Sequence, residues 1–290
     1  MTYPTGVGVI DLMMGTRAGD AAKAQYKPLR KVLRDPGSAT LPMPAGYMFK
    51  DVPLYGEAEA PQGADLLLPF MDRNGVERAM IGVDNPTGQA TLKGHPDRFF
   101  GAYEVDPNLG MDGVRALVDA YERWGIKAAT AFPAGVSPQV PINDKRFYPL
   151  YAKCVELDIP ICICTGVPGP RVPASPQYVG LLDEVCYDFP DLRVVTRHGC
   201  EPWTALAAKL MLKWPNLYYS TSAFAPRYYP ADIINFANTR GAGKVMYAGY
   251  FPMGLSLDRI FAEMPNVPFK DEVWPKFLRE NALRVFKLDG

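Results

Sequence analysis

The side chains in this sequence best suited to acid–base or nucleophilic chemistry fall at or just beyond the ends of short apolar runs. His198 follows "RVVTR", Cys164 ends "ICIC", Asp11 follows "GVGVI", and Tyr250 follows "VMYAG". A histidine titrates near neutrality, so His198 could act as general base or acid, or be a hydrogen-bonded residue of a packed wall. Cys164 could be a nucleophile activated by His198, or a small hydrophobe filling space. Asp11 could accept a proton, pair with an arginine, or bond to backbone or serine groups. Tyr250 could donate to a developing oxyanion. Arg171, in "GVPGPRVPASP", and Arg227, in "SAFAPRYYP", could each grip a carboxylate or phosphate with a forked guanidinium, or be ordinary exposed arginines. Met13 and Tyr228 supply apolar surface against which a substrate could lie.

Those residues need a scaffold that brings strand ends together. Apolar runs at residues 7–12, 79–83, 99–104, 126–131, 160–164, 193–197, 217–221 and 244–248 alternate with amphipathic segments at 110–124, 144–157, 202–212 and 231–239. Strand and helix in alternation, with nearly continuous apolar strands, predict a parallel sheet covered by helices. Eight such strands in 290 residues predict an α/β fold: a single (β/α)8 TIM-barrel domain over residues 1–290. In that fold strand C-termini meet at one mouth, where Lys127 or Thr130, Ser220 or Ser222, and Glu201 would join the residues above. Residues 15–61, rich in Pro, Gly and Asp, break the alternation and predict an insertion after the first strand, over the mouth. Residues 271–287 predict a closing helix.

Composition narrows the partners. Lys+Arg and Asp+Glu are both 31, so the neutral chain offers no electrostatic footprint for nucleic acid or anionic membrane. No apolar run reaches the roughly 18 residues of a membrane span. The first ten residues lack the pattern of a secretory signal, and five cysteines form no stapled framework, so a cytoplasmic setting with free thiols is expected. "GVIDLMMG" lacks the glycine spacing of a dinucleotide fingerprint. Trp203, Trp214 and Trp274 are expected to pack on helix faces rather than stack on bases.

Several strings resemble the amidohydrolase-related family that includes aminocarboxymuconate semialdehyde decarboxylase. They are "MDRNGVERAMIGV", "GHPDRFFGAYEVDP", "ELDIPICICTG", "RVVTRHG", "KVMYAGYFP" and "ENALRVF", and they fall in family order along nearly the whole chain. The resemblance implies a TIM barrel and hydrolysis or non-oxidative decarboxylation of a small organic acid or cyclic compound. It also implies a metal site, from which this chain departs. The family's first strand ends Asp-x-His-x-His, where this chain has Asp11, Met13 and Gly15. The fifth ends His-Thr-Gly, here Cys164-Thr165-Gly166. The eighth carries Gly-Ser-Asp-x-Pro, and Tyr250 stands at the Asp position. Only His198 is kept, and the chain has just 2 histidines, the other being His95 in the "GHPDRF" loop.

Three readings follow. In the first, the chain is a metal-independent enzyme, with no cofactor, acting on a small-molecule substrate as hydrolase or carbon–carbon lyase. Proton transfer would fall to His198 and Asp11, anion binding to Arg171 or Arg227, and oxyanion stabilisation to Tyr250, in place of a metal. In the second, it is a non-catalytic barrel serving as a binding or partner subunit. In the third, Cys164, His198 and Asp11 hold a metal in a new geometry. The oligomeric state is left open, a homo-oligomer included.

Overall fold

A computed structural model describes residues 3–49 and 59–288. The apolar runs form eight strands: β1 (Val9–Met14), β2 (Val76–Gly82), β3 (Phe99–Glu104), β4 (Ala128–Ala131), β5 (Ile161–Cys164), β6 (Val194–Arg197), β7 (Leu217–Ser220) and β8 (Val245–Met246). They pair in chain order, each parallel to the next, with helices between them. The fold is the expected (β/α)8 barrel. Parallel neighbours need a crossover, and the amphipathic segments supply it. The helix Met111–Trp124 shows how one is stopped: Gly125 takes a left-handed conformation at φ 57°, and its N–H bonds the Tyr121 carbonyl at 2.9 Å.

Side-chain alternation divides the core. Ile10, Leu12, Met80, Phe100, Ala102, Ala128, Cys162, Val195, Tyr218 and Met246 pack together inside the ring. Residues of the other parity, such as Val9, Ile81, Phe99, Ile161, Val194 and Val245, pack against the helices. Each large side chain so buried contributes roughly 1.5–3 kcal/mol. The same alternation, carried two residues further, directs Thr130, Cys164, Arg197 and Glu104 inward at the C-terminal rim.

The junction of β1 with β8 is built differently from the other seven. β8 has only two ladder residues. Beyond them, Met14 and Phe251 form a single parallel bridge, and the Gly15 N–H bonds the Phe251 carbonyl at 2.9 Å. The Asp11 carboxylate supplies what the ladder lacks. Its Oδ1 accepts from the Gly249 N–H at 2.8 Å and from the Met13 N–H at 2.9 Å. The second bond holds an irregularity of β1, whose register against β2 shifts between Asp11 and Met14. That shift explains why β1 runs to Met14, beyond the expected end at residue 12. Gly249 is required here: a Cβ would stand 2.6 Å from Asp11 Oδ2 and 3.0 Å from the Tyr247 hydroxyl.

The insertion after β1 is present, although residues 50–58 of it lie outside those described. Short helices at Gly19–Gln25, Lys27–Arg30 and Pro36–Ala39 lead to a 3₁₀ turn at Gly46–Met48. Its base is pinned by Gln62, whose amide accepts from the Ala18 N–H and donates to the Ala18 carbonyl. The closing segment is two consecutive helical pieces, Lys276–Glu280 and Asn281–Phe286. Among the described residues no helix is long and apolar enough to cross a membrane. All five cysteines are buried and unbridged.

Asp11 is fully buried, and burial pushes its carboxyl up to about 7, against the opposing pull of the Gly249 and Met13 bonds. A folded-state value above the ordinary 3.8 means that protonated Asp11 favours the fold. Its contribution is complete below about pH 4 and is lost as pH rises through about 7. Asp11→Asn keeps the acceptor and cannot ionise, so the gap in Tm between it and the wild type should change across that window. A gap that stays constant from pH 4 to 8 refutes the assignment. Asp11→Ala orphans two buried N–H groups and is expected to cost roughly 2–5 kcal/mol in denaturant unfolding.

Candidate active site

A cavity of about 1340 Å³ opens at the C-terminal end of the barrel. Met13, Glu104, Thr130, Cys164, Arg197, His198, Arg227, Tyr228 and Tyr250 all line it. Met13, Cys164, His198 and Tyr250 therefore converge as the strand ends required. Asp11 does not join them. It faces the seam between β1 and β8, because its neighbours Ile10 and Leu12 both point into the barrel. Its carboxylate bonds backbone at that seam and is not part of the cavity wall.

The end of β6 carries the largest departure from regular backbone. His198, Gly199 and Cys200 all have positive φ, at 64°, 81° and 60°. Two of these are not glycine, and such strain collects at working sites. The turn swings His198 out of the strand's alternation, so it and Arg197 both reach the cavity. Ser222, fully buried, fixes the turn: its Oγ accepts from the His198 N–H at 3.0 Å and lies 3.2 Å from Nδ1. Nδ1 therefore has a hydroxyl partner, and the ring tautomer sets which of the two donates. Burial and the Arg197 charge drive the imidazole down to about 3, against the raising effect of Ser222. His198 is thus neutral at physiological pH, a hydrogen-bond donor rather than the titrating base expected of it.

Arg197, which the sequence reading passed over, reaches across the ring. Its Nη2 contacts the Met13 Sδ at 3.0 Å, and its Nε is buried with no partner. A thioether is a weak acceptor, so the guanidinium keeps most of its capacity to bind an anion. Glu104 was also passed over. Among the described residues it makes no ion pair, its side chain is open to the cavity, and enclosure together with Asp84 raises its pKa, against the pull of Arg197. The signal for both was present: Cys162 and Cys164 were placed on one face by alternation, and the same rule extends Val195 to Arg197 and Ala102 to Glu104.

The remaining candidates sort by position. Tyr250 stands edge-on to His198, ring centroids 5.4 Å apart, and stacks with Phe49 of the insertion at 5.7 Å. Burial holds its hydroxyl up at about 12, so it remains a donor. Cys164 is buried, and desolvation pushes its thiol to about 12, outweighing Arg197. Its surroundings favour the protonated thiol over the nucleophilic thiolate. Arg171 is not on the cavity wall. It pairs with Asp35 of the insertion at 2.5 Å and lies 4.7 Å over the Tyr47 ring, so it ties two mouth loops together. Arg227 pairs with Glu263 at 2.6 Å, and with Tyr228 it forms the exposed rim. Ser220 bonds the Thr196 carbonyl, and Lys127 is exposed at the start of β4.

The residues present do not fit a divalent ion. Among the described residues no three His, Cys, Asp or Glu side chains come together in a way that could hold one. Of the proposed set Cys164, His198 and Asp11, the last faces another layer. His95 precedes β3, at the opposite end of the barrel.

A family model described as Amidohydrolase matches residues 59–288. No curated protein matches the chain significantly. Among solved structures, an uncharacterised TIM-barrel protein from Bordetella bronchiseptica is 23% identical with a TM-score of 0.72, covering 97% of this chain and 98% of that one. 2,6-Dihydroxybenzoate decarboxylase from Rhizobium is 15% identical with a TM-score of 0.67, over 98% and 99% of the two chains. 5-Carboxyvanillate decarboxylase from Novosphingobium aromaticivorans, solved with manganese and a nitrobenzoic acid, is 17% identical with a TM-score of 0.68, over 98% and 97%.

The state of Cys164 is open to a direct check. Its thiol should be alkylated by iodoacetamide at pH 7.5 at least about a hundredfold more slowly than an ordinary exposed cysteine. Peptide mapping over a time course measures this, and rapid labelling of Cys164 in the folded protein would restore it as a nucleophile.

Proposed function

The chain belongs to the amidohydrolase family, and on that premise we propose that it is a metal-independent hydrolase or carbon–carbon lyase acting on a small organic acid. One observation carries the metal-free part of this reading: the Arg197 guanidinium rests on Met13, the residue that stands where the resemblance expects a metal-binding histidine. A fixed positive charge at that point can hold an anionic group and stabilise charge developing beside it, which is part of what a metal supplies. Tyr250 and neutral His198 add two donors on the neighbouring wall. The decarboxylases of similar fold, one named for 2,6-dihydroxybenzoate and one for 5-carboxyvanillate, support carboxylate chemistry. The open cavity supports an enzyme over a packed, non-catalytic barrel, since ligand pockets need at least roughly 300 Å³.

The test is turnover of a panel of hydroxybenzoates and small di- and tricarboxylic acids, before and after prolonged chelation, with metal content measured on the same samples. At least one acid should be consumed at a rate that EDTA leaves unchanged, with metal far below one equivalent. Activity that disappears with chelation and returns with manganese or zinc overturns the metal-free reading. For the acid consumed, Arg197→Gln should lower kcat/KM by roughly a hundredfold or more, as loss of a charge-stabilising donor does. Tyr250→Phe, which keeps the stack on Phe49, should lower kcat more than it raises KM.

A further inference from the structure

We propose that Glu104 is the proton-exchanging group of the mouth: a catalytic carboxyl facing Arg197 across one cavity, in a site for substrates that bring an anionic group to Arg197 and an exchangeable proton to Glu104. This rests on the metal-free reading above and deepens it by naming the base and the substrate class.

The geometry carries the assignment. Phe100 and Ala102 point into the barrel from β3, and Glu104 is the next residue of that face, at the rim. Val195 points inward from β6, and Arg197 is its successor. The two charges share one cavity, and each acts on the Cys164 thiol at the end of β5, in opposite directions. Yet no ion pair forms between them among the described residues. Among the described residues, Arg197 spends its visible contact on a thioether and the Glu104 side chain has no hydrogen-bonded partner. Opposite charges that face one cavity without closing on each other leave room for a molecule complementary to both. An anion satisfies the forked guanidinium, and a hydroxyl, water or acidic C–H group satisfies the carboxylate. In the step proposed, a proton passes from that group to a Glu104 oxygen while the electron pair stays on the substrate or water. The same oxygen returns the proton to the product carbon or leaving oxygen.

The groups that face Glu104 set its response to pH. Asp84 after β2 and Asp106 after β3 disfavour its ionisation, and Arg197 on β6 favours it. Thr130 on β4 is its uncharged register partner, and Cys164 on β5 stays a thiol. Enclosure adds to the two aspartates, and the net shift is upward. An anion arriving at Arg197 is repelled by ionised Glu104 and not by the protonated form. Anion binding should therefore weaken as pH rises through the Glu104 titration and should take up a proton there.

The experiment uses the full-length protein in EDTA, with benzoate as probe and benzamide as its uncharged counterpart. Binding is measured by calorimetry between pH 5 and 8, in buffers of different ionisation heat. Wild-type affinity for benzoate should fall by roughly fivefold or more across that range, with net proton uptake. Glu104→Gln should bind benzoate with little pH dependence and no proton uptake, and Arg197→Gln should bind it about tenfold more weakly or worse. For the acid consumed in the chelation assay, Glu104→Gln should lose roughly a hundredfold or more in kcat while keeping benzoate affinity, and Glu104→Asp should recover part of it. Proton uptake that persists in Glu104→Gln, benzamide that binds as tightly as benzoate, or Glu104→Gln turnover at the wild-type rate each overturns the proposal. Benzoate binding abolished by EDTA and restored by a divalent ion instead overturns the metal-free reading beneath it.

Discussion

A ring of strands has no exposed edge only if its last strand meets its first, and here a single carboxylate carries much of that meeting. β8 offers a two-residue ladder, too short to close the barrel by backbone pairing. Asp11 bonds the backbone of both strands from a fully buried position. It spans the gap in β1 and holds Gly249 next to the residue that bears the Tyr250 ring. Every distance quoted for the mouth depends on this closure, since Met13 and Tyr250 sit just beyond its two sides. A group that might have been chemistry is therefore architecture, and the reason is local. Ile10 and Leu12 on either side point inward, so strand alternation turns the carboxylate away from the barrel interior.

What occupies the mouth is a redistribution of charge. The resemblance leads one to expect histidines and a carboxylate around a cation at this level. The chain offers Met13, Cys164 and Tyr250 instead, three groups that stay neutral at physiological pH. Formal charge reappears one or two strands away, as Arg197 on β6 and Glu104 on β3. The fold makes such exchange straightforward, because the ring presents its terminal inward residues to one space whichever strand they come from.

Much of this was legible in the sequence, and the failures have physical causes. The eight strands and their order follow from apolar runs of the right length, with boundaries displaced by a few residues where tertiary pairing intervenes. β1 reaches Met14 because of its pairing with Ile81 and Phe251. β8 stops early because the Tyr247 N–H turns to the Phe277 carbonyl. Arg197 and Glu104 are within reach of the alternation rule, two residues beyond inward Val195 and Ala102, but neither matches a motif position of the resembled family. The neutral state of His198 was not legible. It depends on burial and on Arg197, both consequences of a turn with three positive φ angles. Nor could Arg171 have been assigned, since its partner Asp35 is 136 residues away.

The way the insertion sits over the mouth bears on traffic through it. It is fastened to the loop after β5 by the exposed Arg171–Asp35 pair, the Tyr47 hydroxyl on the Gly169 carbonyl at 2.7 Å, and a guanidinium lying on a ring. On the other side it rests on Tyr250 through Phe49. Contacts of this kind are worth about 0–1.5 kcal/mol each, against the far larger burial that holds the ring of strands. The cover over the mouth is thus held by a few polar and aromatic contacts and one small apolar cluster of Ala22, Met43 and Ala45, set apart from the packing that holds the vessel beneath it.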